Sequence, residues 1–542
     1  MPALPSLAPA PLLLPPGPLP SASWMLRELY RQRTLADPGR EAIRFRDQVI
    51  SHGELLQRLE HWCARIEAVH TAAAGPEGRL LWAGYGGDTV EHLLLGIACF
   101  LSLRPLLLLP LHASEEELLT LVGQAGVGAV LSDRPLPPAF GMEERGPVEG
   151  EWRLWARPSR SPAVEAMVAV PGPCSGAPVM PGAASETRAP SELARRLLDQ
   201  TAMLAMSSGT TTGVPTITPS AAFDSLAMLQ HPEWPLSRRM LFSFRMQFAA
   251  SRSWALRILM EGGTLCCVRV EERPQIPELA GALEADTFSL NPAFLEEMLL
   301  QRLETRFPAS LQFLTGTDRV PVGLRRRFRE RFGERLTIAL ANSRLGPLTL
   351  LPPDQLLAHD GEAVGYPLAN VRFAFDPHTD PRWQAEGLGE AVVSKTLRVS
   401  LHHPEHGAID LERTEAENRP GDLLRRWPDG LLSFGGRSND VFLFRSLLVC
   451  PLQIENLLAE DEAVEEVVAF GASSSVYGAV PMAALRLRQD VDPEQVLPRL
   501  KRLAQAALGV RAPKALIPME EIPRGASGKP LRRELARLHA LT

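Results

Sequence analysis

Residues 206–220 read MSSGTTTGVPTITPS, a stretch without a charge in which Ser207, Ser208, Thr210, Thr211 and Thr212 lie around Gly209, with Gly213 following. Glycines let a backbone come close to an anion, backbone N–H groups converge on it, and hydroxyls rotate to meet its oxygens. The chemistry open to such a loop is the grip of phosphate oxygens. It is not a Walker loop, because the GxxxxGK[ST] spacing is absent. Surface loops share this composition, so the reading turns on what accompanies it.

Of the 57 basic residues only four are lysines: Lys395, Lys501, Lys514 and Lys529. In an arginine-dominated chain each lysine asks for a reason, since an ammonium is a compact point charge and a guanidinium a planar fork. Lys529 lies in IPRGASGKPLRREL, between glycines and arginines near the carboxyl end. A solvated basic tail is the alternative there. The six cysteines, Cys63, Cys99, Cys174, Cys266, Cys267 and Cys450, form no CxxC pair, and a reducing, cytoplasmic setting fits them best.

The elements that must position these groups follow from pattern. With 542 residues, 45% of them hydrophobic, the chain is long enough for several cores. A net charge of −6 leaves no basic footprint for nucleic acid. Residues 42–45 read as a strand, a turn and a second strand follow, and a helix begins at about Gly53, where Leu55, Leu56, Leu59, Trp62 and Ile66 recur at three- and four-residue steps. Ser114 before three glutamates starts another helix. Strands alternating with helices in this way predict an α/β fold with a mostly parallel sheet.

Residues 93–111, LLLGIACFLSLRPLLLLPL, are long enough to cross a bilayer. Arg104 and Pro105 interrupt them, and a mid-membrane charge costs about 3 kcal/mol. A buried helix, a turn and a buried strand are expected instead, with no membrane span. Residues 1–21 are apolar and proline-rich with no preceding cation, which predicts a disordered tail rather than a signal helix. Residues 157–190 carry seven prolines and predict a mobile connection. A strand ends at the hydroxyl loop, and beyond Gly435 a compact α+β run closes the chain.

Four stretches follow the loop in order: VGYPLANVRFAFDP with GLGEAVV, then RPGDLLRRWPDGLLSFGGRSNDVFLF, then CPLQIENLLAEDEAVEEVVAFGA, then IPRGASGKPLRREL. Together with SSGTTTGVPT they resemble the adenylate-forming (AMP-binding) superfamily of acyl- and aryl-CoA synthetases, carrier-protein adenylation domains and firefly luciferase. The resemblance runs from about residue 22 to the end. It implies a large AMP-binding domain over 22–438, of layered mostly parallel sheets and helices, and a small mobile α+β lid domain over 439–542. By the same resemblance residues 207–213 hold the β- and γ-phosphates of ATP, and Lys529 stabilises charge as a carboxylate attacks the α-phosphate. Asp422 would hold the ribose hydroxyls with its two acceptor oxygens, Arg437 and Gly346 would contact the nucleotide, and Asn439 would be the hinge. A turn residue and a surface ion pair are the plainer readings of Asp422 and Arg437.

The chain departs from the family pattern in several places. Three threonines stand where two are usual, and Thr216 replaces the loop's terminal lysine, as in the phenylacetate-CoA ligase branch. The aromatic-Gly-x-Thr-Glu motif, whose glutamate binds Mg²⁺, is reduced to SRLGPLTLL, with Gly346 and Thr349 but no glutamate, which leaves the metal site unknown. Ser446 and Leu448 replace a glycine and an arginine near the thiol's route. Phe248, Trp254 and Gly316 fall where the family builds its acyl pocket, although a buried aromatic is more often plain core. Arg245 or Arg252 there would meet a carboxylate or be solvated, and His402 and His403 read as surface residues without zinc spacing.

The resemblance implies an ATP-dependent acid–thiol ligase using ATP and Mg²⁺, with a small carboxylic acid as substrate and CoA as acceptor. The phosphopantetheine of a separate acyl carrier protein is the alternative acceptor. A nucleotide-binding scaffold that has lost catalysis is the reading of another class, favoured by the missing glutamate and opposed by Lys529, Asp422 and Arg437.

Overall fold

The strand Thr264–Val268 reads TLCCV and is buried along its whole length, as expected of a strand covered on both faces. In the computed structural model it lies parallel between Glu41–Phe45 and Arg239–Ser243. The structure describes residues 12–17, 19–34, 37–73, 82–87, 89–110, 113–156, 194–195, 198–206, 217–229, 237–243, 249–300, 307–316, 318–342, 345–524 and 530–541. The parallel order continues through Thr287–Ser289, Gln312–Thr315 and Leu336–Asn342, with the helices Ala249–Met260, Ile276–Ala282, Pro292–Leu300 and Val322–Phe332 between them. Direction then reverses. Gly346–Leu351, Ala363–Pro367, Leu432–Arg437, Asp422–Arg426 and Gly389–His403 add antiparallel, extending one mixed sheet of 15 strands.

A second sheet sets Trp82–Tyr85 parallel to Leu106–Leu108 and Ala129–Ser132, with Trp152–Ala156 and Glu143–Glu149 antiparallel at its edge. Residues 93–110 behave as the sequence predicts. The helix Val90–Leu101 ends in a turn and Leu106–Leu108 forms a buried strand. No helix among the described residues is long and apolar enough to cross a membrane. The helix His52–Ala73 buries Leu55, Leu59, Trp62 and Ile66, and Ser114 caps Glu115–Ala125 in a capping box with Glu117.

The carboxyl-terminal run has its own core. Val464–Ser474 pairs antiparallel with Gly478–Leu487, which pairs parallel with Ala515–Pro518. The helices Pro451–Leu458, Pro493–Leu508 and Arg532–Leu538 bring Ile454, Leu458, Leu500 and Leu535 into that core beside Val468 and Leu485. In Pro493–Leu508 the buried residues Val496, Leu500 and Ala504 fall at four-residue steps, one stripe of the helix.

The amino terminus corrects one expectation. A disordered tail over 1–21 does not hold from Leu12 onward, because Leu12–Leu13 pairs parallel with Gly389–His403, Leu12 is fully buried, and the Leu14 N–H donates to the His402 carbonyl at 2.8 Å. Proline forbids a helix there, but a sheet edge needs only a few N–H donors. Residues 157–190 lie outside the described residues.

Candidate active site

The strands Thr201–Met206 and Ile217–Ala221, which flank the hydroxyl stretch in sequence, are antiparallel neighbours with Met206 opposite Ile217. The stretch's own residues, Ser207, Ser208, Gly209, Thr210, Thr211, Thr212, Gly213 and Thr216, lie outside the described residues, as do Arg245, Phe248 and Lys529. The strand leading into the loop is pinned from below. Arg252, on the helix Ala249–Met260, donates to the Leu106 carbonyl at 3.3 Å and to the Leu204 carbonyl. It is 4% exposed, and burial pushes its pKa down to about 10. Arg252 is therefore not a solvated side chain: it ties the loop's strand to its neighbours through backbone oxygens.

Asp422 begins the strand Asp422–Arg426 and Arg437 ends Leu432–Arg437, and the register places the two opposite one another. Arg437 Nε stands 3.3 Å from Asp422 Oδ1, with the aspartate side chain 9% exposed and the arginine 45% exposed. A shielded carboxylate is thus met by a cation that also reaches solvent. The turn before it depends on Gly421, at φ +74°, whose carbonyl accepts from the Ser438 N–H at 2.9 Å and from Ser438 Oγ at 3.2 Å. Exposed Asn439 follows directly, and the Asp440 N–H closes a turn on the Arg437 carbonyl at 3.1 Å. The three residues, expected to serve ribose, nucleotide and hinge in turn, stand on one turn and one strand pair.

Gly346 opens the strand Gly346–Leu351 at φ +69°. Beneath it lies a residue the sequence reading left without a role. Lys395 is buried, its ammonium donates to the carbonyls of Leu345 and Pro347 at 2.8 Å each, and burial pushes its pKa down to about 8. The signal was available, since Lys395 is one of only four lysines. Thr349 is fully buried and donates its hydroxyl to the Val364 carbonyl. The turn therefore offers Mg²⁺ no carboxylate, and it already holds a cation 3.8 Å from where a Cβ on Gly346 would sit. The residues present here do not fit a protein-held metal.

Of the acyl-pocket candidates, Trp254 is half-buried and packs on the large core, and Gly316 is held by packing, since a Cβ there would stand 2.5 Å from the Ala339 carbonyl oxygen. His402 is exposed as expected, but His403 is not a surface residue: it is fully buried. Ligand atoms of His403, Glu405 and His406 come within 4.8 Å of one another. Both His403 nitrogens are already engaged, Nε2 with the Gly17 carbonyl at 2.8 Å and Nδ1 with the Glu405 N–H at 3.1 Å. Glu405 in turn accepts from the Gly17 N–H at 2.9 Å, so the group fastens the amino-terminal segment.

Ser446 and Leu448 lie on the hairpin Phe442–Phe444 with Leu447–Val449. Arg445 and Ser446 form its turn at φ 50° and 63°, a conformation that favours glycine. The Arg445 guanidinium lies 5.2 Å from the Tyr477 ring centre, and the Lys514 ammonium 5.3 Å from that of Phe444. Burial, then Arg445 and Lys501, push the Lys514 pKa down, the mark of cations crowded together.

The AMP-binding enzyme family matches residues 31–397, and the AMP-binding enzyme C-terminal domain matches residues 453–529. Among curated relatives, a fatty acid–[acyl-carrier-protein] ligase of Mycobacterium marinum is 27% identical over 302 residues, 52% of this chain and 56% of that protein. A 4-hydroxybenzoate–CoA/benzoate–CoA ligase of Rhodopseudomonas palustris is 25% identical over 265 residues, 48% of this chain and 46% of that protein. The chain thus spans about half the length of the curated relatives it matches. Among solved structures, o-succinylbenzoate CoA synthetase from Bacillus subtilis, in complex with ATP and magnesium ion, superposes with a TM-score of 0.68 at 19% identity, covering 94% of this chain and 98% of that one. An amide bond synthetase from Marinactinospora thermotolerans gives 0.69 at 18%, covering 95% and 100%. The fold is that of these synthetases, and the chain belongs to the AMP-binding enzyme family.

Proposed function

We propose that the protein is an ATP-dependent acid–thiol ligase. A carboxylate oxygen attacks the α-phosphorus of ATP, the bond to the bridging α–β oxygen breaks, and pyrophosphate leaves. A pantetheine thiol then attacks the acyl carbon, losing its proton as AMP departs. The observation that carries this reading is the facing pair Asp422 and Arg437 beside the Gly421 turn. The carboxylate offers the two acceptors a ribose diol needs, and the half-exposed guanidinium lies within reach of the same ligand. Residues 207–213 hold the phosphates through N–H groups and hydroxyls, and Lys529 meets the charge that grows on the leaving oxygens. ATP brings its magnesium with it, and no step is assigned to a protein-held metal.

The acceptor is CoA in the first reading and a carrier protein's phosphopantetheine in the second. The cations Arg445, Lys501 and Lys514 near the small-domain hairpin suit the phosphates of CoA as well as an acidic carrier surface, so the thiol consumed decides between the two. The test incubates the protein with ATP, a panel of aryl and fatty acids, and either CoA or a phosphopantetheinylated carrier. Acid-dependent AMP release with loss of free thiol supports the ligase, and the thiol consumed names the acceptor. AMP release that never consumes a thiol removes the second half-reaction.

A further inference from the structure

A chain of alternating charges runs from the large core to the turn beside Asn439. Glu362, 3% exposed, is gripped by both arms of Arg319, at 2.6 Å from Nη2 and 2.9 Å from Nε. The other amine of Arg319 reaches Glu455 Oε2 at 3.2 Å, and Arg319 also donates to Asn456 Oδ1. Glu455, 4% exposed, accepts the Ala469 N–H at 2.9 Å on its second oxygen, where Arg532 also binds. Arg532 Nε then lies 3.7 Å from Asp440. Glu362 and Arg319 belong to the large domain; Glu455, Asn456 and Arg532 lie around the small-domain core. Burial works against the charge on both arginines, but the neighbouring carboxylates outweigh it and raise their pKa values.

The chain is not a surface decoration. When the two domains part, Glu362 keeps Arg319 and Glu455 keeps Arg532, but the Arg319–Glu455 and Arg319–Asn456 contacts break, and the buried groups on that face must be rehydrated or paired anew. Among the described residues, only Arg319 binds both Glu362 and Glu455. The same face is joined by Gln453 to Glu386 at 2.8 Å and by Arg511 to Glu386 at 3.4 Å, and by an apolar cluster in which Trp383, Leu388 and Leu423 meet Cys450 and Leu452. These contacts can slide or rehydrate at low cost. In the alternating chain Arg319 is fixed by its two-point grip on Glu362, which aims its remaining amine at Glu455.

We propose that Arg319 and Glu455 are positioning residues, a clasp that holds the small domain in one pose on the large one and must open before any other pose is reached. For the reaction this rests on the ligase reading. The pose sets where the small domain's end, including the Arg524–Pro530 bridge that flanks Lys529 in sequence, stands relative to the large domain. Strengthening or weakening the clasp therefore shifts the balance between the half-reactions instead of lowering both alike.

The test uses the full chain with Glu455→Gln, which keeps the shape and removes the charge, and Arg319→Lys, which keeps the charge and removes the fork. Dyes on Glu330→Cys and Glu494→Cys, in a Cys174→Ser background, report the distance between the domains; the native cysteines among the described residues are buried. The parent gives one narrow distance, Glu455→Gln broadens it, and Arg319→Lys falls between them. ATP–pyrophosphate exchange and thioester formation, read separately, part by about fivefold or more in Glu455→Gln. An unchanged distance overturns the clasp whatever the rates do. A broadened distance with both rates falling equally overturns the positioning role. Absence of both activities in the parent counts against the ligase reading alone, because the distance measurement still decides the clasp.

Discussion

Asp422 and Arg437 are opposite residues of two antiparallel strands, with Arg437 Nε 3.3 Å from Asp422 Oδ1 and only the arginine substantially open to solvent. A plain surface pair would expose both partners. Here the strand register holds the carboxylate in place while the arginine side chain stays 45% exposed. Asp422→Asn keeps the shape and removes the charge, and ATP affinity is expected to fall about 10- to 100-fold, the worth of one charge-assisted hydrogen bond. Calorimetric titration with ATP measures it. Equal affinity in parent and variant, at an unchanged melting temperature, would take Asp422 out of the site.

Ser446 occupies φ 63° in the hairpin turn, where a Cβ crowds the following carbonyl. Replacing it by glycine removes that cost, and Ser446→Gly should stabilise the folded protein by about 1 kcal/mol. Urea denaturation checks it through a higher midpoint at unchanged slope. A lower midpoint would show that the serine side chain earns its place through contacts of its own.

Gly365, in the motif VGYP, sits at φ +105°, and a Cβ there would lie 2.1 Å from the Leu350 carbonyl carbon. Two backbones meet at this point of the sheet, and no side chain can be moved aside to make room. Gly365→Ala is expected to cost about 3 kcal/mol or more. Circular dichroism during thermal unfolding reads the loss, and a variant that melts with the parent would contradict the close approach.

Glu296, on the helix Pro292–Leu300, faces Arg327 and Arg486 at 3.7 Å each, with Glu466 and its partner Arg524 beyond. Burial, and then Glu466, push its pKa up to about 7. A raised carboxyl pKa means that the folded protein binds this proton more tightly than the unfolded chain. Its contribution is therefore complete below the ordinary value of about 4.5, is lost as pH rises through 7, and is constant above that. Glu296→Gln removes the dependence, so the variant should gain on the parent between pH 4.5 and 7 by on the order of 1–3 kcal/mol. Melting temperatures across that range test it, and parallel curves for the two proteins would contradict it.

What could be read beforehand was what local pattern controls. The helix His52–Ala73 and the capping box at Ser114 depend on residues three or four apart, and both stand where periodicity and capping chemistry put them. The apolar run over 93–111 was legible as helix, turn and strand because Arg104 and Pro105 punctuate it. Asp422, Arg437 and Asn439 were singled out one by one through the motif resemblance, and their nearness follows from lying within 18 residues, with the first two opposite one another on paired strands. What stayed hidden depends on distant partners. Nothing local to Arg252 says that its guanidinium ends on the Leu106 and Leu204 carbonyls, and nothing near Arg319 points to Glu455, 136 residues away. The strand at Leu12–Leu13 was missed for the same reason, since its partner Leu401 lies at the far side of the sequence.

The proposed activation of a carboxylic acid with ATP, with Lys529 meeting the growing charge, can be isolated from the later thiol step. ATP–pyrophosphate exchange across a panel of aryl, fatty and amino acids measures that step alone, before any thiol is needed. The expected result is exchange that depends on one class of acid and falls about 100- to 1,000-fold in Lys529→Ala, while ATP still binds. ATP binding without exchange for any acid, or exchange that Lys529→Ala leaves unchanged, would contradict it.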